Sequence, residues 1–511
     1  MKVANLFFRS SVLGVADQLL RALMALFLTP LMVARLGGAD FGMWVLLTGF
    51  FSQYILLDAG LTASLPHFLG QAIGRNDAAA CREIVSTAAL MLARVTLLGL
   101  GVTAVGWLVL PWFLHDVSRL AGARGVVIVF GIAMAAQTLA KIFVLDLNSR
   151  LRSDVVSAFG LLRVLICAPA AWLVLRHGGG VLDLAFVHGT GTVAEAIGIA
   201  AWNRALLADI HPRWSNKVVR REILRYSGWS YALTTSERLR GALDPFLLGW
   251  LRDSVSTGIY ALGMRPVVMF YDVAYSLIGG QLLPAFSRLH AERRTKLLEK
   301  SFVMSSRVSA LLAAFGGGWL IMVGPLFMRC WVPQEARAAL PVLWCVAFSF
   351  VLYATQIPSV HLLYSRSQHR AVALVFMAGV IVNLMLSAVL IVKLGIVGAA
   401  VGTAVEMTIV YGAVLPWLVA QTMKKPVRWV FDHIVFRPLL RGLLIASPVA
   451  VALWLKPAWI NVAAVTLGLG VWFIIAVATG LVGADEKKWF WRFARSRQTA
   501  VDAPDGGGWE V

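Results

Sequence analysis

Seven basic residues, Arg21, Arg94, Lys141, Arg163, Arg238, Arg240 and Arg265, lie well inside stretches that are otherwise apolar enough to cross a membrane. A central Lys or Arg facing lipid costs roughly 2.5 to 3.5 kcal/mol, so seven would cost on the order of 20 kcal/mol. They must therefore face one another, acidic partners or water. Such a set is suited to recognising negative charge, because a guanidinium offers a planar fork to phosphate oxygens and stays charged when buried. A cationic lining would lower the barrier for an anionic head group crossing the bilayer.

Helical spacing assigns these residues to faces. Asp17 and Arg21 are four apart, so they share a face with Gly14 and can pair directly. Glu237, Arg240 and Asp244 fall on one stripe with Arg238 rotated away, and Arg265, Asp272 and Ser276 share another. The expected substrate cavity is therefore lined by Asp17, Arg21, Arg240, Asp244, Arg265 and Asp272. Energy coupling needs an acidic group that exchanges a proton. Glu195 and Glu406, with no basic residue one turn away, are the candidates for proton coupling. Arg94 and Lys141 lie nearer the ends of their stretches and read as anchors whose heads reach toward the cytoplasmic surface. Trp44, Tyr54, Tyr260 and Tyr271 could stack on sugar rings.

Composition defines the elements that must position these groups. Hydrophobic residues make up 59% and charged residues 14%, and mean hydropathy is +0.77, which no soluble domain resembles. The net charge of +20 is not gathered into one face or tail but recurs in short loops, so nucleic acid is not an expected partner. Cys81, Cys167, Cys330 and Cys345 have no metal-ligand spacing and read as packing residues. No metal or cofactor is expected beyond a coupling proton or sodium ion. The N-terminal apolar stretch carries Asp17 and Arg21 and lacks a cleavage pattern, so it reads as a retained span.

Windows of about 20 apolar residues predict fourteen spans, near 10–34, 41–65, 85–111, 124–147, 154–175, 181–204, 227–250, 255–286, 302–328, 338–364, 371–392, 395–420, 438–455 and 459–482. With the N-terminus inside, the cytoplasmic side holds 28 Lys and Arg against 9 outside, which places both termini in the cytoplasm. The basic, Trp-containing segment 205–226 and the segment 487–497 suit an anionic leaflet, making inner-membrane lipids an expected partner. The tail beyond is expected to be disordered.

A weak repeat links TPLMVARLGGADFGMW to DPFLLGWLRDSVSTGIY, aligning Pro30 with Pro245, Gly42 with Gly258 and Trp44 with Tyr260. The expected organisation is an all-α polytopic membrane protein of two six-helix lobes plus two extra helices. The lobes cover 1–207 and 227–423, with a connector at 208–226, helices 13 and 14 within 424–484 and a cytoplasmic tail at 485–511.

The motifs ARLGGADFGMW, LDAGLTASLPHFLGQA, STGIYALGMRPVVMFYDVAYSLIGGQLLPAFSRL and KLGIVGAAVGTAVE, in this order, resemble the polysaccharide flippases of the multidrug/oligosaccharidyl-lipid/polysaccharide exporter superfamily. The resemblance implies a V-shaped pair of lobes that opens alternately to either side. It also implies movement of an undecaprenyl-diphosphate-linked oligosaccharide across the bacterial inner membrane, for O-antigen, capsule or exopolysaccharide assembly. The implied partners are that lipid-linked oligosaccharide, a glycan polymerase and glycosyltransferases. A cation-coupled multidrug exporter of the same superfamily is the alternative, and the seven basic residues argue against it. A membrane glycan polymerase or ligase is disfavoured by the short external loops, and the chain has no GxxxxGK[ST] for ATP hydrolysis. Asp58, with no mid-depth Arg in the second span, argues against the lipid II exporter branch.

Overall fold

The computed structural model describes residues 2–58, 61–113, 117–211 and 216–483, and these are helical throughout, with short turns between. The first helices are α1 (Lys2–Leu36), α2 (Gly38–Ser52), α3 (Leu61–Gly74), α4 (Ala78–Phe113), α5 (Val117–Ser149), α6 (Ser153–Arg176), α7 (Val181–Trp202), α8 (Lys217–Leu251) and α9 (Ser254–Ala291). There follow α10 (Thr295–Gly318), α11 (Gly324–Trp331), α12 (Ala336–Ser365), α13 (His369–Leu394), α14 (Ile396–Ile409), α15 (Leu415–Met423), α16 (Val427–Val430), α17 (Arg437–Ala446) and α18 (Trp459–Thr479). A 3-10 turn, Gln53–Asp58, follows α2, and π-helical turns Trp319–Val323, Val410–Val414 and Phe431–Phe436 join α10 to α11, α14 to α15 and α16 to α17.

Among the described residues eleven stretches are long and apolar enough to cross a membrane. The other three expected spans are helical too: 41–65 is divided among α2, the 3-10 turn and α3, 227–250 lies in α8, and 255–286 lies in α9. Gly279 and Gly280 do not end α9, which continues for 38 residues, about 57 Å at 1.5 Å per residue. It thus outruns the hydrocarbon core and carries the chain beyond the membrane. The expected connector is itself helical from Lys217, and the segment 487–497 lies outside the described residues.

By compactness the chain divides into Met1–Gly258 and Ile259–Val511. The first unit keeps α8, which packs on α2, α3 and α4. Its core has two clusters. One holds Leu61, Leu65, Leu69, Leu92 and Leu145, and the other gathers Met43, Phe51, Val126 and Phe130. The repeat glycines have a physical role inside this unit. A Cβ on Gly42 would lie 1.6 Å from the Ser254 carbonyl oxygen, and one on Gly258 would lie 3.1 Å from the Phe41 ring and 3.3 Å from Gly42 Cα. The two helix starts therefore cross backbone to backbone at these glycines.

In the second unit α10 and α12 form a buried pair, and α12 also packs on α14. The small-residue spacing Gly395, Gly398, Gly402 lets α14 press against α13. Gly395 turns the chain at φ +62°, and a Cβ on Gly398 would meet the Leu390 carbonyl oxygen at 2.1 Å.

Candidate functional site

The charged groups are placed by helix packing, unit by unit. In the first unit, Arg21 Nε donates to Asp17 Oδ1 at 2.8 Å, as the four-residue spacing on α1 requires. The pair sits against α6 where there is no side chain to obstruct it. A Cβ on Gly160 would lie 2.6 Å from Arg21 Nη2 and 3.2 Å from each Asp17 carboxylate oxygen. The Arg21 and Asp17 side chains remain 35% and 20% exposed, so the pair is only part-buried.

Arg163 on α6 and Glu195 on α7 form a second pair, Nε to Oε2 at 3.0 Å, with side chains 23% and 13% exposed. Arg163 Nη1 also donates to Thr192 Oγ1 at 3.1 Å. This corrects the expectation that Glu195 has no basic neighbour and therefore suits proton coupling. Its cation arrives from the neighbouring helix, where same-helix spacing cannot see it. Each residue is sixteen positions from Gly179, in the turn between two antiparallel helices, so the hairpin brings them to one level.

Asp244 is 2% exposed, buried in the first unit by the packing of α8. The side chain of Arg240 lies outside the described residues, as does that of Glu237. Arg94 and Arg238 are exposed.

Lys141, read from the sequence as an anchor, instead lines a cavity of about 630 Å³ in the first unit. The cavity is walled by Trp44, Thr48, Phe51 and Ser52 of α2, Tyr54 of the following turn, His188 of α7 and one stripe of α5. That stripe runs Phe130, Met134, Gln137, Lys141, a spacing of four, three and four residues that keeps all of them on one face. The sequence signal was therefore present in the polar residues flanking Lys141. Trp44 packs edge-on to Phe130 with ring centres 5.6 Å apart and lies 5.3 Å from the His188 ring. Tyr54, one of the expected stacking residues, hydrogen-bonds to Thr103 Oγ1 and the Gly99 carbonyl on α4.

In the second unit, α9 presents Arg265, Val268, Asp272 and Tyr275 as exposed residues at a three, four, three spacing that forms one stripe. Arg265 and Asp272 are close enough to interact electrostatically. Ionised side chains are costly against hydrocarbon, which favours a polar surrounding for this stripe. Behind it the Tyr353 hydroxyl donates to Tyr271 Oη at 2.8 Å. The rings of Tyr271 and Tyr353 stack at 4.5 Å, Tyr353 meets Tyr411 at 4.9 Å, and Tyr275 lies 6.0 Å from His361. Tyr260, by contrast, is 2% exposed and belongs to the core. Glu406 is 1% exposed on α14, one turn from Thr403, whose hydroxyl accepts from Asn383 Nδ2 at 3.0 Å.

At the start of α10 a separate groove of about 390 Å³ is lined by Lys296, Glu299, Lys300 and Arg307, with Lys425 Nζ 2.8 Å from Glu299 Oε1.

Comparison with known proteins agrees with this architecture. The structure resembles the lipid II flippase MurJ in its inward closed conformation, with a TM-score of 0.68 at 10% identity, covering 92% of this chain and 98% of that one. It also resembles an inward-facing multidrug resistance MATE family transporter of the MOP superfamily, with a TM-score of 0.64 at 12% identity, covering 78% and 94%. A third similar structure is the MATE transporter VcmN of Vibrio cholerae, with a TM-score of 0.56 at 12% identity, covering 84% and 99%. At these identities the likeness shows the fold alone, one shared with these structures. No curated protein matches the chain in sequence. Residues 9–290, more than half of the chain, match the family described as polysaccharide biosynthesis protein. The chain is a multi-pass membrane protein with a transporter fold, and it belongs to the polysaccharide biosynthesis protein family.

Proposed function

We propose that the protein is a flippase, not an enzyme, that moves an undecaprenyl-diphosphate-linked oligosaccharide across the bacterial inner membrane by alternating access. The product would feed O-antigen, capsule or exopolysaccharide assembly, alongside a glycan polymerase and glycosyltransferases, with both termini in the cytoplasm. The observation that carries this reading is the exposed Arg265–Asp272 stripe of α9 within an otherwise apolar segment. A guanidinium held there accepts a diphosphate in place of water, while Asp272 moderates its charge so that the anion can also leave.

The Asp17–Arg21 pair supports the same reading, because its guanidinium is braced on one side and part-exposed on the other. Arg240 and Asp244 complete the proposed substrate set. A proton or sodium gradient would supply the energy. Glu406, enclosed on α14, is the coupling carboxylate we favour, and Glu195 would take part only if its pair with Arg163 opens. A multidrug exporter of lipophilic cations has less support, since a cationic stripe repels such cargo.

The test is surface glycan in cells carrying Arg21→Ala or Arg265→Ala as the sole copy. Both variants should reach the membrane at normal levels and display no glycan, whereas Arg21→Lys and Arg265→Lys should retain part of it. Normal glycan in both alanine variants would remove the cargo-site assignment.

A further inference from the structure

The first unit's cavity is apart from the charged pairs used above, and its lining has a definite chemistry. Trp44, Phe51, Tyr54 and Phe130 form an aromatic end, and α5 then carries Gln137, Thr138 and Lys141 away from it along one face. At about 630 Å³ it falls within the range of small-molecule sites. Its hydroxyls are already committed as donors to their own helices: Thr48 to the Trp44 carbonyl at 2.7 Å, Ser52 to the Gly49 carbonyl at 2.7 Å and Thr138 to the Met134 carbonyl at 2.8 Å. Ser52 Oγ already accepts from Gln53 Nε2 at 2.9 Å, and the Thr48 and Thr138 oxygens are left to accept. The wall thus offers acceptors for hydroxyl groups, a flat indole, an amide, the His188 imidazole and one ammonium, and none of its described lining residues is acidic.

An aliphatic chain would leave that polar half unmatched, and a lipophilic cation would be repelled by Lys141. A saccharide matches it, because sugar hydroxyls donate, the C–H face of a pyranose stacks on an indole, and Lys141 adds a donor with full positive charge. We propose that this cavity is a glycan subsite selecting a sugar that bears an anionic substituent, a carboxylate or a phosphate, with Trp44 as the platform and Lys141 as the charge reader. This rests on the flippase reading and specifies part of its cargo.

The experiment uses the full chain in lipid nanodiscs and saturation-transfer NMR, with three disaccharides as probes: one ending in glucose, one in glucuronic acid and one in glucose 6-phosphate. The wild type should bind the glucuronic acid probe, the phosphate probe or both at least about tenfold more tightly than the neutral one, the worth of one charge-assisted hydrogen bond. Which acidic probe wins distinguishes the two substituents. Lys141→Met should erase that preference and Lys141→Arg should keep it, while Trp44→Ala should weaken all three probes. Equal binding of neutral and acidic probes by the wild type, or a preference that survives Lys141→Met, overturns the inference.

Flipping of lipid-linked glycans in proteoliposomes separates this failure from failure of the parent reading. A wild type that flips acidic and neutral glycans equally well, with Lys141→Met unchanged, overturns the subsite alone. A wild type that flips neither overturns both.

Discussion

The Arg163–Glu195 pair makes a quantitative demand on stability and transport together. Its atoms are 3.0 Å apart and its side chains 23% and 13% exposed, so each charge is partly desolvated and depends on the other. Removing one partner of a fully buried pair costs about 3 to 5 kcal/mol because the other is left uncompensated. The residual exposure here discounts that to roughly 2 to 3 kcal/mol. Arg163 would retain its bond to Thr192 Oγ1 at 3.1 Å, which offsets only a small part. Replacing both by uncharged residues of similar size should be near neutral.

Glu195→Gln and Arg163→Met should therefore each lower the thermal unfolding temperature of the detergent-solubilised protein. The double variant should recover most of the loss, with a coupling energy of about 2 kcal/mol in the cycle. Transport in proteoliposomes under an imposed pH gradient should follow the same order, so that the double variant regains gradient-driven flipping. Additive single effects would refute the reasoning that the two charges stabilise each other. A stable double variant that flips its substrate but ignores the gradient would refute the structural role and return Glu195 to proton coupling.

Gly160→Ala should leave the fold intact but push the Arg21 guanidinium off its seat, since the new Cβ would lie 2.6 Å from a mobile side-chain nitrogen; a severalfold drop in flipping with unchanged melting is the expected result. Gly42→Ala should be far worse, because its Cβ would lie 1.6 Å from a backbone oxygen and overpacking costs about 1 to 3 kcal/mol even where side chains can yield; membrane expression and melting temperature are the readouts. Tyr271→Phe removes the acceptor of the Tyr353 hydroxyl and should lower stability by about 1 kcal/mol, as measured by thermal unfolding. Outside the spans, the hydrogen bond from Arg288, with Arg294 nearby, holds the Glu292 carboxyl below the usual range. Its stabilising effect is therefore fully present above the ordinary carboxylate pKa and is lost only as pH falls through the lowered one. Glu292→Gln should leave the dependence of melting on pH unchanged near neutrality.

Same-helix geometry was readable from sequence, and cross-helix geometry was readable only in part. The Asp17–Arg21 contact follows from four residues of spacing, and the stripe of Arg265 and Asp272 from seven. Glu195 looked unpartnered because its partner is 32 positions earlier on the neighbouring helix, although the hairpin turn places both at one depth. Lys141 reads as an anchor from sequence because it lies near the end of α5. Its role as a cavity residue depends on Trp44 and His188, which come from two other helices. The repeat pairs Gly42 with Gly258 by sequence alone and gives no hint that the two helices meet at those residues.

The most direct measurement of the central claim is flipping by purified protein in proteoliposomes of a labelled short-chain prenyl-diphosphate oligosaccharide, scored by its exposure to a membrane-impermeant reagent. The wild type should flip it, and Arg21→Ala and Arg265→Ala, compared at equal amounts of folded protein, should each slow flipping at least about tenfold, the worth of one charge-assisted phosphate contact. Wild-type rates in both variants, or a wild type that leaves the lipid-linked glycan in place yet moves lipophilic cations, would contradict it.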